Sequence, residues 1–94
     1  MRNQYNENDE LELKELCDAL VSIKDEATCR EFLTDWLSTN ELKSLSGRVH
    51  SALLFMSGET YNEVIADTKI SSATLARVSK CVKHGTGYNK VLRK

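Results

Sequence analysis

The sequence contains no proline and only four glycines among its 94 residues. Proline and glycine are the residues that interrupt helices most strongly, whereas the leucine, alanine, lysine and glutamate that are common here favour them. No segment shows the alternation of apolar and polar residues that is typical of a half-buried strand. The sequence therefore predicts an all-α chain, and its length fits a single domain.

Long apolar runs are also missing. No segment approaches the ~20 apolar residues that are needed to span a bilayer, and the polar start MRNQYNENDE lacks the apolar core of a signal peptide. We therefore expect a cytoplasmic protein with no membrane partner. Because the three cysteines are odd in number and widely spaced, we expect free and mostly buried thiols at Cys17, Cys29 and Cys81.

Positive charge is scarce in the first half of the chain, and negative charge is scarce in the second. Residues 1–47 carry five lysines and arginines against eleven acidic residues, whereas residues 48–94 carry eight against three. No acidic residue follows Asp67. This asymmetry indicates a basic face that meets a polyanion such as nucleic acid. The alternative is a solvated basic tail that packs against the acidic half of a neighbour.

Three amphipathic helices are predicted after a start, residues 1–8, that we expect to be disordered. The first covers about residues 9–23, the second begins after a cap at Asp25, and the third begins after a capping box formed by Ser38 and Glu41 and ends near Met56. The apolar residues expected to face inward from the third helix are Leu42, Leu45, Val49, Leu53 and Met56. A chain this small would leave such stripes exposed without a partner, so we assign residues 9–57 to dimerisation.

The next segment, residues 60–84, has the outline of a helix-turn-helix. Thr60 and Glu63 form another capping-box pattern, which predicts a short helix to about Thr68. Three residues, 69–71, then precede a helix that is capped by Ser71 or Ser72 and runs to about residue 83. A short helix, a tight turn and a second helix are the arrangement with which many proteins place a recognition helix in the major groove.

The second helix of this unit has two contrasting faces. Leu75, Val78 and Val82 share one face at helical spacing. The opposite face carries small residues first and cations later, namely Ser72, Ala73, Ala76, Arg77, Lys80, Lys83 and His84. Small side chains let a helix approach base edges, and later cations meet phosphates. The alternative is an ordinary surface helix whose terminal cations are favoured by the helix dipole.

No constellation of catalytic or metal-binding residues stands out. His50 is read as a partly buried or surface residue, and Cys81 with His84 offers only two of the ligands a metal site needs. No serine or cysteine nucleophile is paired with a histidine and an acid, and no glycine-rich phosphate loop is present. We therefore expect neither an enzyme nor a bound metal or cofactor.

Three segments together resemble the Trp repressor superfamily, and most closely its YerC/YecD-type, TrpR-like branch. They are the NEL opening of the third helix, SGETYNEV before the helix-turn-helix, and SSATLARVSKCV within it. The resemblance covers roughly residues 11–88. It implies a single helical domain over residues 9–94 in an intertwined homodimer, whose two recognition helices enter successive major grooves ~34 Å apart.

The resemblance also implies which residues contact DNA. Base contacts would come from the start of the recognition helix, at Ser71, Ser72, Ala73 and Thr74. Phosphate contacts would come from Arg77, Lys80 and Lys83, with Thr60 and Asn62 at the start of the preceding helix. Because none of the base-contacting residues has a long bidentate donor, we expect modest direct readout that is supported by water and DNA shape.

Two departures from the family concern an effector and the turn. Trp repressor holds tryptophan with two arginines, which Arg48 and Arg77 match, but Val78 replaces a glycine and Cys81 replaces a serine. The resemblance therefore indicates an effector pocket at Arg48, Arg77 and Cys81 that does not suit L-tryptophan. Those arginines would instead make phosphate contacts or structural ion pairs. Lys69 replaces a turn glycine, and a left-handed lysine would cost on the order of 1 kcal/mol, so we expect a remodelled turn.

These observations predict a sequence-specific transcriptional regulator, acting as a repressor in the bacterial cytoplasm at the nucleoid, that binds duplex DNA as a homodimer. The alternative is a dimeric helical adaptor that binds another protein and has no specific affinity for DNA.

Overall fold

The computed structural model describes residues 6–93. These residues form six α-helices and no strand. The prediction of an all-α chain is therefore confirmed. The helices are α1 (Glu7–Val21), α2 (Glu26–Trp36), α3 (Thr39–Met56), α4 (Tyr61–Asp67), α5 (Ser72–His84) and α6 (Gly87–Leu92). They form two compact units, one with α1 and α2 and the other with α3 to α6.

Helix α1 begins at Glu7, two residues before the predicted start. The side chain of Asn6 accepts a hydrogen bond from the N–H of Asp9, and the Asp9 carboxylate accepts one from the N–H of Asn6, each at 3.0 Å. This capping box was not noticed in the sequence. Residues 7 and 8, predicted to be disordered, therefore belong to the first turn of α1, whereas residues 1–5 lie outside the described part of the chain.

Helix α2 begins after the predicted cap. The Asp25 carboxylate accepts hydrogen bonds from the N–H and the hydroxyl of Thr28, at 2.8 and 3.0 Å, and these bonds lower the pKa of Asp25. Neither α1 nor α2 has a buried residue. The rings of Phe32 and Trp36 stack with their centroids 5.3 Å apart, and Trp36 remains exposed. The apolar side chains of this unit are thus left without a core of their own.

The unit of α3 to α6 has a small, well-packed core. Ala52 of α3 contacts Val78 and Val82 of α5, and the half-buried residues Phe55, Met56, Tyr88 and Leu92 pack around them. Val64 of α4 and Leu75 of α5 are fully buried. Full burial stabilises the fold by roughly 1.5–3 kcal/mol for a side chain of this size. Helix α5 is therefore packed firmly against α3.

The apolar stripe predicted on α3 is only partly covered within a single chain. Leu45, Val49 and Leu53, which were expected to face inward, are 41–44% exposed, whereas Ser51 and Ala52 are fully buried. Small side chains at the contact let α5 approach α3 closely, and the bulky apolar stripe consequently lies to one side of it. A rule that places the largest apolar residues inward cannot anticipate a contact made through small residues.

The cysteines are free, as predicted, but they are not mostly buried. Cys17 is exposed, and Cys29 and Cys81 are half-buried. Cys17 and Cys29 are not fully buried because they lie in α1 and α2, which bury no side chain completely. Within residues 6–93, no helix combines the length and the apolar character that a membrane span requires.

Candidate nucleic-acid interface

Helix α4 has the predicted cap. The N–H of Glu63 donates to the Thr60 hydroxyl oxygen at 3.2 Å, and the N–H of Thr60 donates to the Glu63 carboxylate at 2.7 Å. Val64 then anchors the helix in the core with no exposed surface, while Ile65 is half-buried. The capping box thus fixes the first helix of the predicted helix-turn-helix on its support.

The turn between α4 and α5 contains four residues, 68–71, one more than predicted. Thr68 is extended at φ −118°, and its hydroxyl donates to the carbonyl oxygen of Val64 at 3.0 Å. None of the non-glycine residues from 6 to 93 has a positive φ, so Lys69 avoids the left-handed conformation. Lys69 therefore carries no backbone strain from this source, and the cost of a left-handed lysine does not arise.

The turn lies directly against α3 at Gly47. A Cβ atom placed on Gly47 would lie 3.1 Å from Cδ1 and 3.3 Å from Cγ1 of Ile70. These distances are shorter than an ordinary van der Waals contact between carbon atoms. The absence of a side chain at position 47 consequently sets how closely the turn can approach α3.

Helix α5 has the two faces predicted from its sequence. Its cap is Ser71, whose hydroxyl oxygen accepts from the N–H of Thr74 at 3.3 Å. Leu75, Val78 and Val82 are 0, 2 and 9% exposed. The residues of the opposite face are all exposed, namely Ser72, Ala73, Ala76, Arg77, Lys80, Lys83 and His84. The small-then-cationic surface is therefore available to a partner.

Two clefts flank the start of α5. The first, which we call the turn cleft, has a volume of about 540 Å³ and is lined by α3, the turn and the start of α5. The second, the arginine cleft, has a volume of about 420 Å³. The turn cleft is lined by Asn40, Lys43, Ser44, Gly47, His50, Asp67, Thr68, Lys69, Ile70, Ser71 and Thr74. The arginine cleft is lined by Arg48, Ala73, Thr74, Arg77, Val78, Cys81 and Tyr88.

The arginine cleft brings together the three residues of the predicted effector pocket, Arg48, Arg77 and Cys81. The Nε atom of Arg48 is buried and has no hydrogen-bond partner among residues 6–93. A buried donor without a partner is costly. The guanidinium groups of Arg48 and Arg77 give the cleft the chemistry to hold an anion, and neither arginine forms an ion pair with a carboxylate of residues 6–93.

The predicted phosphate contacts from α4 are separated from these clefts. Thr60 and Asn62 are exposed, and Thr60 lines a third cleft together with Lys83. Asn62 lines none of the three clefts. The structure thus brings Ser71 and Thr74 to one cleft and Ala73, Thr74 and Arg77 to another, but it leaves Asn62 apart from both.

Sequence reasoning missed two cations, Lys43 and Lys69, which line the turn cleft from opposite sides. A signal was present in the third helix, because Asn40, Lys43, Ser44 and Gly47 recur at the spacing of one helical face. The periodicity of α3 alone does not show that this polar face packs beside the turn that carries Lys69.

The cations of α3 to α6 are free of carboxylate partners. Among the described residues only Lys14–Asp18 and Arg30–Glu26 form ion pairs within 4.0 Å, and both pairs lie in α1 and α2. Residues 37–93 nonetheless carry eight lysines and arginines against four acidic residues. This positive charge is consequently not neutralised within the unit that contains α5.

Three of the four acidic residues of the same unit, Glu59, Glu63 and Asp67, lie in α4 or just before it. The pKa of Glu59 is raised, chiefly by partial burial and then by a hydrogen bond with Asp67 and by repulsion from Asp67 and Glu63, with His50 acting in the opposite direction. The pKa of Glu41 is lowered by its capping hydrogen bonds from Ser38. No group of three or more potential metal ligands occurs in the part of the chain that the structure describes.

Comparisons with known proteins agree with this geometry. The sequence pattern of the family described as Trp repressor protein matches residues 11–94. The chain is 35% identical over 74 residues to YerC, an uncharacterized protein of Bacillus subtilis strain 168, which covers 79% of this chain and 71% of YerC. It is also similar to the crystal structure of a Staphylococcus aureus protein classed with the Trp repressors, with a TM-score of 0.79, 29% identity, and coverage of 94% and 92% of the two chains.

Proposed function

Because this chain belongs to the Trp repressor family of DNA-binding regulators, we propose that it is a sequence-specific transcriptional regulator that binds duplex DNA through α4 and α5. The observation that supports this most strongly is the unpaired positive charge around an exposed helix. Arg77, Lys80 and Lys83 face solvent, and no described carboxylate lies within 4.0 Å of them. Cations that are unpaired within a fold are available to phosphates.

The order of side chains along α5 suits a major groove. Ser72 and Ala73 are small and exposed, so the start of the helix can approach base edges. Lys80 and Lys83 follow about 12–17 Å further along the axis, at ~1.5 Å per residue, where the phosphates of the groove wall would lie. Lys43 and Lys69 in the turn cleft extend the cationic surface beside Ser71 and Thr74. Thr60 and Asn62 add phosphate contacts at the start of α4.

The regulator would act as a homodimer. Leu45, Val49 and Leu53 form an exposed apolar stripe on α3, and Leu13, Leu20 and Trp36 are exposed in α1 and α2. Exposed apolar surface on this scale marks an interface, and a second copy would cover it as in the intertwined dimers of the family. Two copies of α5 would then enter successive grooves, and occupancy of an operator would repress transcription at the nucleoid.

The arginine cleft is proposed to hold an anion rather than L-tryptophan. Val78 belongs to the core at 2% exposure and lines the cleft, so its side chain occupies space that an indole ring would need. The Cys81 thiol is a poor partner for an ammonium group. An anionic effector or a DNA phosphate would pair with the guanidinium groups of Arg48 and Arg77, which line the cleft. Nothing in this arrangement favours catalysis, so the role proposed is regulatory, with no resident cofactor.

The experiment measures affinity for duplex DNA by fluorescence anisotropy between 50 and 200 mM salt. We expect tight binding at low salt, a steep loss as salt rises, and abolition of binding by the double variant Arg77→Ala/Lys80→Ala. The control Lys14→Ala/Arg30→Ala removes the same charge from ion pairs in α1 and α2 and is expected to bind like the wild type. Intact binding by the first variant would show that α5 is not the DNA-binding face. Failure of the wild type to bind would favour the protein adaptor.

A further inference from the structure

The recognition helix is held at both ends by side chains from neighbouring helices. At its start, the Tyr61 hydroxyl of α4 donates to the carbonyl oxygen of Ser72 at 3.1 Å. At its end, the Asn89 amide of α6 donates to the carbonyl oxygens of Val82 and Gly85, each at 3.0 Å. These two contacts lie at opposite ends of α5 and come from different helices, so together they constrain its direction.

Tyr61 is itself fixed by two other elements. It is the first residue of α4 and follows the N-cap residue Thr60 directly. Its ring stacks on Phe55 of α3, with the centroids 6.3 Å apart and the planes 24° apart. The side chain of Tyr61 therefore links α3, α4 and α5. Because a tyrosine ring is rigid, its hydroxyl group transmits the position of α3 and α4 to the first turn of α5.

Asn89 acts at the cationic end of α5. The last carbonyl groups of a helix lack partners within the helix, and the Asn89 amide supplies two of them with donors. Its own oxygen accepts from Arg93 Nε at 2.9 Å, which fixes the orientation of the amide. Gly85 permits this close junction, since a Cβ atom there would lie only 2.7 Å from the carbonyl oxygen of Cys81. Helix α6 thereby stabilises the C-terminal end of α5.

We propose that Tyr61 and Asn89 are positioning residues that set the orientation of α5 relative to α3. The inference rests on the proposed function only for its consequence, which is that this orientation decides how well the small residues at the start of α5 meet base edges. Tyr61 carries no charge and holds the end at Ser72 and Ala73. Its hydroxyl group therefore governs discrimination between DNA sequences rather than the electrostatic part of the affinity.

The first arm of the test uses the protein without DNA. Residual dipolar couplings give the direction of α5 relative to α3, and amide hydrogen exchange reports the stability of its first turns. In Tyr61→Phe, which keeps the ring on Phe55, we expect a changed or averaged direction of α5 and exchange about fivefold faster at residues 75–79. In Asn89→Ala the faster exchange is expected at residues 82–85. Unchanged couplings and exchange in both variants would overturn the proposal.

The control for this arm is Tyr88→Phe. It also removes one tyrosine hydroxyl, but that group has no hydrogen-bond partner among residues 6–93. Couplings and exchange of α5 are therefore expected to match the wild type. If Tyr88→Phe disturbed α5 as much as Tyr61→Phe does, the effect would not come from the hydrogen bond to Ser72, and the proposal would fail.

The second arm uses a duplex enriched from a random pool and a scrambled duplex of the same composition. For Tyr61→Phe we expect the ratio of the two dissociation constants to fall roughly three- to tenfold, while the dependence of affinity on salt stays unchanged because no cation is removed. An unchanged ratio would refute the role of Tyr61 in discrimination. Absence of DNA binding by the wild type would refute the proposed function, and the first arm would still decide whether the two residues position α5.

Discussion

The turn cleft offers a quantitative prediction about charge. Lys43 and Lys69 line it from opposite sides, beside Ser71 and Thr74 at the start of α5, and neither lysine forms an ion pair with a described carboxylate. If both contact DNA phosphates, each releases counterions on binding. The double variant Lys43→Gln/Lys69→Gln keeps the polar character and approximate length of the side chains, and it removes only the two charges.

The size of the effect follows from the number of lysines. Each phosphate that is neutralised contributes about −0.9 to the slope of log affinity against log salt, so the variant should have a slope smaller by about 1.8 per bound chain and by about 3.6 for two chains. Between 50 and 200 mM salt, a slope difference of this size means that the variant loses about 12-fold less affinity per chain than the wild type does. The difference for two chains is about 150-fold.

The assay is fluorescence anisotropy of a labelled duplex at five or more salt concentrations. The matched control Lys14→Gln/Lys24→Gln removes two lysines from the segment that contains α1 and α2, outside the unit of α3 to α6. A wild-type slope in the Lys43→Gln/Lys69→Gln variant would refute the assignment of the turn cleft to phosphate. An equal reduction in the control would show that the effect reflects net charge and not position.

Three further predictions concern the supports of α4 and α5. Gly47→Ala is expected to destabilise the fold by crowding Ile70. Ile70→Val removes the nearest atom and should relieve the destabilisation in a double-mutant cycle measured by denaturant unfolding. Additive effects of the two substitutions would contradict the close contact. Gly58 has φ +102° with open space around its Cβ position, so Gly58→Ala should cost about 1–2 kcal/mol in the same assay, and a neutral result would refute strain. Because the pKa of Glu41 is lowered, its stabilising effect is present above its pKa in the unfolded chain and is lost as pH falls through its pKa in the folded chain. Because the pKa of Glu59 is raised, stability falls as pH rises through the pKa of Glu59 in the folded chain. In thermal melts from pH 3 to 7, the Tm of Glu41→Gln should therefore fall less on acidification than the Tm of the wild type does. Glu59→Gln should raise the Tm at pH 7.

Local signals in the sequence were sufficient for the starts of α3 and α4. Ser38 with Glu41, and Thr60 with Glu63, form the capping boxes that their spacing predicts. The buried face of α5 follows directly from its 3.6-residue periodicity. Asn6 with Asp9 has the same capping geometry but was missed, because asparagine with aspartate departs from the usual serine or threonine with glutamate. Capping boxes, which span four consecutive residues, were thus predictable where they use the common residue types.

The contacts between helices were less accessible to prediction. The fully buried Ser51 and the approach of Ile70 to Gly47 depend on how α3 crosses α5 and the turn, and neither follows from the apolar pattern of α3 alone. The hydrogen bond from Tyr61 to Ser72 joins two helices through residues that are eleven positions apart, and no local rule predicts it. The turn cleft was missed for the same reason, since Lys43 and Lys69 come together only through the packing of the turn on α3.

The central claim is that two copies of this chain present paired α5 helices to duplex DNA. Selection of bound duplexes from a random pool, followed by sequencing, tests it most directly because it requires no knowledge of the operator. We expect enrichment of a two-fold symmetric sequence whose half-sites are centred about 10 base pairs apart, the spacing of successive major grooves. A pool that remains random, or an enriched sequence without two-fold symmetry, would contradict the claim.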